Sequence, residues 1–468
     1  MQQRNVDVAI IGAGSAGLAA YRAALESTSR VVMIEGGPYG TTCARVGCMP
    51  SKLLIAAAEA AHASAQAPAF GVNTGSVTID GIAVMDRVRR ERDRFVGFVV
   101  ESVDNIPEAH RLVGNATFID DHTLEVGGHT RVHAKRVVIA TGSSPAWPKH
   151  FEAAADRLVV NDDIFDWQDL PASVAVFGPG VIGLELGQAL HRLGVRVHMF
   201  GIQGVVGPLT DPDVKSYAGK TFAEEFFLDA DASVSAIERT DDGVSIRYRD
   251  REGSTQTITV DYLVAATGRR PNVYGLGLEN TTLPLDERGV PVVDERTLQI
   301  GHSSVFLAGD ATNTKPLLHE AADEGRIAGR NAGRFPDVEP GFRRSPLGVV
   351  FSDPQIAMVG ATFAELKHRN TVTGEVSFED QGRSRVMLRN KGLLHVYADA
   401  IIGRFLGAEM IGPSAEHIGH LLAWAHQQEL TISDMLSMPF YHPVIEEGLR
   451  TALRDACSKL ADCGLRAA

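Results

Sequence analysis

The sequence of 468 residues contains no uninterrupted apolar run of about eighteen residues, the length that a helix needs to cross a bilayer. It has only four cysteines, a sparse usage that is typical of proteins in a reducing cytoplasm. Positive charge is also scarce, because 45 Lys and Arg stand against 58 Asp and Glu, for a net charge of −13. Such a surface repels phosphate backbones and anionic lipids. We therefore expect a cytoplasmic protein with no nucleic-acid and no membrane partner.

The sequence lacks short-period repeats, but one longer arrangement occurs twice. An apolar strand, a glycine-rich turn, a helix and a second apolar strand follow one another at 6–35 and again at about 173–200. Such strands are typical of parallel sheets that are buried on both faces. After about Gly341 the pattern changes to alternating strands and then long helices. The sequence predicts an α/β fold with two Rossmann-like dinucleotide-binding domains and a C-terminal α+β domain.

The first glycine-rich turn has the spacing of a phosphate-binding turn, with Gly12, Gly14 and Gly17 between strand and helix. The first glycine permits the tight bend, the second lets a pyrophosphate approach the backbone, and the third permits close packing of helix and strand. Glu35 ends the next strand, where a carboxylate can accept hydrogen bonds from ribose hydroxyls. An ordinary glycine turn is the alternative, but the strand, helix and acid in register favour a dinucleotide site.

The second glycine-rich turn repeats this spacing at Gly178, Gly180 and Gly183. Counted as in the first unit, the position of the terminal acid is occupied by Gly201. A glutamate there would favour NAD, and a nearby arginine would favour NADP, but the sequence has neither. The second turn therefore predicts a nicotinamide dinucleotide site and leaves NAD versus NADP open.

Two of the cysteines, Cys43 and Cys48, lie five positions apart shortly after the first dinucleotide turn. Pro50 suits the first turn of a helix, whose N-terminus lowers the pKa of a nearby thiol, and Lys52 adds positive charge. The pair can form a small disulfide ring beside a dinucleotide site. Two inert core cysteines, or half of a zinc site, are the alternatives.

Taken together, these motifs resemble the class I pyridine nucleotide–disulfide oxidoreductases, most closely the dihydrolipoamide dehydrogenases, over essentially the whole chain. Further segments that match the family are Ala140–Gly142, Ala266–Asn272, Phe306–Asp310 and Leu318–Ala322. The resemblance implies that Thr141, Gly142 and Asp310 contact FAD and that Gly268 belongs to the nicotinamide side. It also implies FAD in the first unit and NAD in the second, with NADP not excluded.

The same resemblance gives the cysteines separate roles. Cys48 would face the flavin, and Cys43 would be the interchange thiol that meets the substrate. Lys52 and Glu185 match the family's ion pair beside the flavin ring. The alternative for that pair is two separate, solvated surface charges.

Near the C-terminus, His442 is followed by Pro443 and, five positions after the histidine, by Glu447. A thiol must lose its proton to attack a disulfide, and histidine titrates in the right range to accept it. Alone, the segment could be a loop–helix junction with solvated acids, but it matches the family's catalytic His and Glu. In the family this histidine comes from the neighbouring subunit, so the resemblance implies a homodimer with shared active sites.

The resemblance implies an FAD-binding domain at 1–150 and 275–345, an NAD(P)-binding domain at 151–274 and a dimerisation domain at 346–468. The predicted function is dihydrolipoamide dehydrogenase-like electron exchange between a thiol or disulfide substrate, small or carried by a lipoyl domain, the Cys43/Cys48 disulfide, FAD and NAD. Alternatives are an NAD(P)H-dependent reductase of another disulfide, a quinone or a metal ion, and a redox sensor or non-turnover component of a multienzyme complex. A transhydrogenase-like flavoprotein is disfavoured because that class lacks the cysteine pair.

The remaining cysteines, Cys457 and Cys463, lie six positions apart in a predicted terminal helix. Six helical residues rise about 9 Å and place the two side chains on different faces, too far apart for a disulfide. We therefore expect two ordinary thiols and disfavour a second electron-relay pair such as some relatives carry. No protein ligand set in the sequence indicates a metal site.

Overall fold

A computed structural model of the chain describes residues 1–250 and 252–463. In these residues no helix combines the length and the apolar character that a membrane crossing requires. The chain forms two compact units. The first comprises Met1–Leu53, Asp86–Ala146 and Gly268–Arg343, and the second comprises Leu54–Met85, Trp147–Thr267 and the described part of Arg344–Ala468.

The strands are β1 (Gln2–Ile11), β2 (Val31–Glu35), β3 (Arg111–Val113), β4 (Ala116–Asp120), β5 (Thr123–Val126), β6 (Thr130–Ile139), β7 (Ser143–Pro145), β8 (Leu158–Val159), β9 (Ser173–Phe177), β10 (Arg196–Phe200), β11 (Phe227–Asp229), β12 (Ser233–Thr240), β13 (Gly243–Arg249), β14 (Thr255–Val260), β15 (Tyr262–Ala265), β16 (Arg269–Pro271), β17 (Val305–Leu307), β18 (Leu347–Val350), β19 (Gln355–Gly360), β20 (Thr371–Ser377), β21 (Leu393–Asp399) and β22 (Phe405–Gly412). The helices are α1 (Ser15–Ala24), α2 (Thr42–Val46), α3 (Cys48–Gln66), α4 (Gly81–Asp104), α5 (Asn161–Ile164), α6 (Val181–Arg192), α7 (Pro212–Ala223), α8 (Leu318–Arg334), α9 (Phe363–Leu366), α10 (Gly382–Val386), α11 (Ala415–Gln427), α12 (Ile432–Leu436) and α13 (Glu446–Lys459).

The first unit is built on a sheet in the order β3-β2-β1-β6-β5-β4, with β17 also paired to β6. Strands β3, β2, β1, β6 and β17 are parallel, whereas β5 and β4 run antiparallel to their neighbours. The apolar end of β1, Val8–Ile11, is buried, as a parallel strand covered on both faces requires. Helices α1 and α8 approach closely because Gly325 and Gly329 lack side chains that would overlap the α1 backbone.

The second unit contains three sheets. The parallel sheet β11-β10-β9-β15-β8 carries the second glycine-rich turn after β9, and β12-β13-β14 form a small antiparallel sheet. The third sheet, β18-β19-β22-β21-β20, is antiparallel and packs its buried side chains against α11 and α13. The predicted α/β class, the two βαβ units and the C-terminal α+β region are thus confirmed.

The prediction for the last two cysteines is wrong, because Cys457 and Cys463 form a disulfide with a Cα–Cα separation of 5.3 Å. Helix α13 ends at Lys459, and Leu460 has an extended conformation with ψ 145°. Since the chain leaves the helix there, the helical rise assumed for six residues does not apply. Cys463 therefore lies back beside the last turn of α13.

Candidate active site

The first glycine-rich turn joins β1 to α1 and is closed by backbone contacts that exclude side chains. A Cβ on Gly12, which has φ +109°, would overlap the carbonyl oxygen of Ala140, and a Cβ on Gly17 would overlap the carbonyl oxygen of Gly12. Gly14 has open space around its Cα, with no heavy atom of the described residues within 4 Å of an added Cβ. The turn is thus tight at two glycines and open at the third, as a pyrophosphate cradle requires.

The carboxylate of Glu35 fastens this turn to the end of β2. Its Oε2 accepts a hydrogen bond from the backbone N–H of Ala13 at 2.8 Å, and its Oε1 accepts one from the N–H of Gly37 at 2.8 Å. The side chain therefore lies across the mouth of the turn, where the ribose hydroxyls of a bound dinucleotide can reach it.

The other predicted FAD contacts follow β6 and β17 in the same unit. The hydroxyl of Thr141 is buried and has no hydrogen-bond partner among the described residues, so it can serve a bound group. Gly142 has φ +70° and open space around it. Asp310 accepts a hydrogen bond at 2.8 Å from Ser143, whose hydroxyl in turn accepts one from Arg269. The glycine cradle and the unpartnered Thr141 hydroxyl fit FAD.

A buried carboxylate that the sequence analysis did not identify fixes the turn before Asp310. Glu324 Oε2 accepts a hydrogen bond from the N–H of Gly309 at 2.9 Å, and Glu324 Oε1 pairs with Arg343 at 2.9 Å. Burial raises the pKa of Glu324, and the paired arginine opposes that rise. The sequence held no local signal for this role, because the partners lie 15 and 19 positions away.

The second glycine-rich turn joins β9 to α6 and repeats the geometry of the first. An added Cβ would overlap the carbonyl oxygen of Ala266 at Gly178 and that of Gly178 at Gly183, whereas Gly180 is open. The turn fits the pyrophosphate of a second dinucleotide for the same reasons. Gly268, which was predicted for the nicotinamide side, lies in the first unit with φ +118° and open space around it.

Cys43 lies in α2 and Cys48 opens α3, so one cysteine is at a helix N-terminus as predicted. Both are in the thiol form, and the hydrogen bond between them is the largest cause that raises the pKa of Cys43, followed by burial. The lowered pKa expected at a helix N-terminus concerns Cys48, which opens α3, and stays a prediction. The raised pKa of Cys43 favours its protonated form in the reduced pair.

A cavity of about 590 Å³ opens beside Cys43 within the first unit. Its walls are mainly apolar and include Leu18, Met49, Phe95, Phe98, Val99 and Leu318. Two arginines also line it: Arg22 donates to the Ser102 hydroxyl at 3.4 Å, and Arg326 pairs with Asp323 at 2.8 Å. The cavity thus presents the Cys43 thiol, a mainly apolar wall, two arginines and the carboxylate of Glu26.

The predicted base, His442, and its predicted partner, Glu447, are hydrogen-bonded to each other in the structure. His442 Nδ1 lies 3.0 Å from both carboxylate oxygens of Glu447, which also accepts a hydrogen bond from the N–H of Val444. The hydrogen bond from His442 lowers the pKa of Glu447. The His442 side chain is 81% exposed, so its Nε2 edge is open to a partner. The alternative of two solvated glutamates with an unrelated histidine does not apply to Glu447.

Lys52 and Glu185, the predicted ion pair, lie in different units. Lys52 is half-buried in the first turns of α3, and Glu185 is buried in α6 with 4% of its surface exposed. Glu185 Oε1 accepts a hydrogen bond from the N–H of Phe351 at 3.0 Å. Glu185 is therefore not a solvated surface charge, and its pairing with Lys52 stays a prediction.

Two family models match this chain. The model described as pyridine nucleotide-disulphide oxidoreductase matches residues 6–325, and the model of the dimerisation domain of the same family matches residues 347–453. A mercuric reductase from Streptomyces lividans is 31% identical over 469 residues, with 97% of this chain and 97% of the relative covered. A dihydrolipoyl dehydrogenase from Thermus scotoductus is 30% identical over 457 residues, with 96% and 97% covered.

Two solved structures also match this chain over nearly its whole length. LpdA from Mycobacterium tuberculosis has a TM-score of 0.80 and 24% identity, covering 97% of this chain and 99% of its own. The HOCl-induced flavoprotein disulfide reductase RclA from Escherichia coli has a TM-score of 0.80 and 22% identity, with 97% and 99% covered. At these identities the likeness shows a shared fold.

Proposed function

The chain belongs to the pyridine nucleotide-disulphide oxidoreductase family, and on that premise we propose that it oxidises a dithiol of the dihydrolipoamide class with reduction of NAD. Enzymes of the family use FAD and NAD(P). The chemistry that FAD supplies when bound is two-electron exchange between a dithiol and a nicotinamide. The protein itself must bind both dinucleotides, present a disulfide to the substrate, and move protons.

The observation that carries the substrate assignment is the apolar cavity that Cys43 lines. An extended dithiol with a hydrocarbon chain, such as dihydrolipoamide, can bury that chain against Phe95, Phe98 and Leu18 while its sulfurs reach Cys43. Burial of apolar surface stabilises the complex by about 25 cal/mol per Å². A hydrated metal ion would gain nothing from such walls, because its affinity comes from ligand atoms.

The proposed exchange begins with the Cys43–Cys48 disulfide and a dithiol substrate. His442 accepts a proton from the first substrate thiol, and the resulting thiolate attacks Cys43 Sγ, which breaks the disulfide and leaves Cys48 as a thiolate. The second substrate thiolate then attacks the sulfur bonded to Cys43. The cyclic disulfide product leaves, and Cys43 takes up a proton, so the substrate has lost two electrons and the cysteine pair has gained them.

The exchange needs a group that both accepts and returns a proton, because the raised pKa of Cys43 makes it a poor leaving thiolate. A leaving thiol that strongly retains its proton must be protonated as it departs, and the substrate thiol must be deprotonated in the same cycle. Glu447 holds the His442 ring through Nδ1 and leaves Nε2 for that proton. The high exposure of His442 and the dimerisation domain support a homodimer in which His442 of one subunit serves Cys43 of the other.

A second candidate is reduction of another disulfide or of a metal ion at the expense of NAD(P)H. Mercuric reductase from Streptomyces lividans matches over nearly the whole chain. Arg22, which donates to the neutral Ser102 hydroxyl, also places positive charge in the cavity, and this charge favours an anionic group on the substrate. A direct comparison of substrates separates the two candidates.

We would measure initial rates of NAD⁺ reduction by dihydrolipoamide, and in parallel NADH and NADPH oxidation with glutathione disulfide or Hg(II). Rapid NAD⁺ reduction that is abolished in Cys43→Ser is the expected result. Phe98→Leu, which keeps the cavity apolar, serves as the control and should lose less than about tenfold in kcat/KM. Faster turnover of Hg(II) or glutathione disulfide than of dihydrolipoamide would overturn the lipoamide assignment and favour the second candidate.

A further inference from the structure

In a dinucleotide-binding unit, a carboxylate at the end of the second strand recognises the ribose. The pairing of the strands shows which residues occupy this position after β2 and β10. Ile11 pairs with Ile34 just before Gly12, and Phe177 pairs with Phe200 just before Gly178. Glu35, the last residue of β2, and Gly201, the first residue after β10, therefore hold equivalent positions.

At Gly201 a side chain is sterically excluded. A Cβ there would lie 2.7 Å from Cγ of Pro179 and 2.8 Å from the carbonyl oxygen of Ala230. Pro179 stands where the first turn has Ala13, whose N–H binds Glu35, and a proline has no N–H to donate. The second turn thus lacks both the strand-end acid and one of the donors that such an acid would bind.

A carboxylate nevertheless reaches the loop after β10 from the segment that follows β11. Asp231 Oδ1 accepts a hydrogen bond from the N–H of Gln203 at 2.8 Å. Gln203 stands two positions after Gly201, as Gly37, which binds Glu35 Oε1 at 2.8 Å, stands two positions after Glu35. The same backbone donor is therefore bound by a carboxylate in both units, although in the second the carboxylate comes from the segment after β11.

Backbone hydrogen bonds hold the segment after β11 beside the loop after β10. The N–H of Gly201 donates to the carbonyl oxygen of Asp229 at 2.7 Å, and the N–H of Gly204 donates to that of Ala230 at 3.1 Å. Asp229 Oδ1 accepts a hydrogen bond from the N–H of Asp231. Asp229, Asp231 and Asp250 line one cavity of about 430 Å³ with Arg249, so acids outnumber the cation there.

We propose that Asp231 replaces the missing strand-end carboxylate and makes the second site select NAD over NADP. The inference rests on the proposed binding of the nicotinamide dinucleotide by this unit. The carboxylate occupies the Gln203 N–H, which a 2′-phosphate would otherwise use, and repels that phosphate through its charge. The sequence pattern left this choice open because Asp231 lies 30 positions after Gly201.

The test is calorimetric binding of NAD⁺ and of NADP⁺ to the oxidised, FAD-loaded protein, which needs no turnover and no thiol substrate. We expect NAD⁺ to bind at least about tenfold more tightly than NADP⁺. Asp231→Asn keeps an oxygen for Gln203 and removes the charge. It should therefore lower the ratio of the Kd for NADP⁺ to the Kd for NAD⁺ by about tenfold, mainly because NADP⁺ binds more tightly. Asp231→Ala removes both the charge and the acceptor, and should shrink the ratio at least as much.

Asp250→Asn is the matched control, because Asp250 lines the same cavity but is bound by Ser254 and Gln256 rather than by the turn. In this variant the ratio of the Kd for NADP⁺ to the Kd for NAD⁺ should stay within about twofold of the wild-type ratio. Equal binding of both dinucleotides to the wild-type protein, or an unchanged ratio in Asp231→Asn, would overturn the role of Asp231 alone. If neither dinucleotide bound, the assignment of the second unit would fail together with the inference.

Discussion

The two glycine-rich turns share a backbone and differ in how a carboxylate reaches them. In the first unit Glu35 belongs to the strand that enters the turn and binds Ala13 and Gly37. In the second unit Pro179 and the carbonyl oxygen of Ala230 exclude a side chain at Gly201, and the carboxylate of Asp231, which follows β11, binds the N–H of Gln203 instead. The glycine spacing thus specifies the phosphate cradle, whereas the ribose end depends on the side chain that the fold brings beside it.

The largest effect should come from a change that touches neither turn. Cys48→Ser removes the partner of Cys43, so no disulfide can form and thiol–disulfide turnover should fall by about 10³-fold or more. Both dinucleotide sites should stay intact, because Cys48 lies outside both turns. Rapid-mixing absorbance should therefore still record flavin reduction by NADH. Loss of that reduction together with turnover would mean that the dinucleotide sites depend on the cysteine pair.

A substitution of the proposed base, His442, should also leave both glycine-rich turns unaltered. His442→Gln removes the proton acceptor, and we expect a loss of about 10²- to 10³-fold in turnover with dihydrolipoamide near neutral pH. Unchanged Kd values for NAD⁺ would show that binding is intact. Partial recovery of the rate with added imidazole is expected, and full wild-type activity without it would contradict the assignment.

Glu447 gives this assignment a pH signature. Because its pKa in the folded protein lies below the ordinary value, its stabilising hydrogen bond with His442 is fully present above that ordinary value and is lost as pH falls through the lowered pKa. The acid limb of kcat against pH should then shift in Glu447→Gln, whereas Glu446→Gln serves as a neighbouring control on the same helix turn. An identical pH profile in both variants would remove Glu447 from the proton path.

Substitutions in the two glycine-rich turns should affect different dinucleotides. Gly17→Ala places a methyl group against the Gly12 carbonyl, and Gly183→Ala does the same against Gly178, so each should weaken its own site by about 10- to 100-fold. The first variant should purify with little FAD, judged by its visible absorbance. The second should retain FAD and lose affinity for NAD⁺, and the reverse pattern would exchange the roles of the two units.

A smaller effect should follow when the second turn is rebuilt like the first. Gly201→Glu alone meets the ring of Pro179 and the carbonyl oxygen of Ala230 and should weaken NAD⁺ binding, while Pro179→Ala with Gly201→Glu removes the first of these obstructions and restores the N–H donor. We expect the double variant to bind NAD⁺ more tightly than Gly201→Glu alone, with a coupling of about 1 kcal/mol in a double-mutant cycle. Additive losses in calorimetry would contradict the equivalence of the two positions.

Local sequence patterns predicted the elements that depend on nearby residues. The βαβ units and Gly201 as the counterpart of Glu35 were accessible by counting, because strand, turn and helix are contiguous. Asp231 and Glu324 were not, since each acts through pairing or packing that only the folded chain brings together. The disulfide between Cys457 and Cys463 was missed because its formation depends on where α13 ends.

The most direct test of the central claim, that the Cys43–Cys48 pair exchanges electrons with the flavin, is an anaerobic dithionite titration of the FAD-loaded protein. A disulfide and a flavin in communication should consume about two two-electron equivalents per flavin before reduction is complete. Cys48→Ser should consume about one equivalent. Uptake of one equivalent by the wild-type protein, with both cysteines oxidised at the start, would contradict the account.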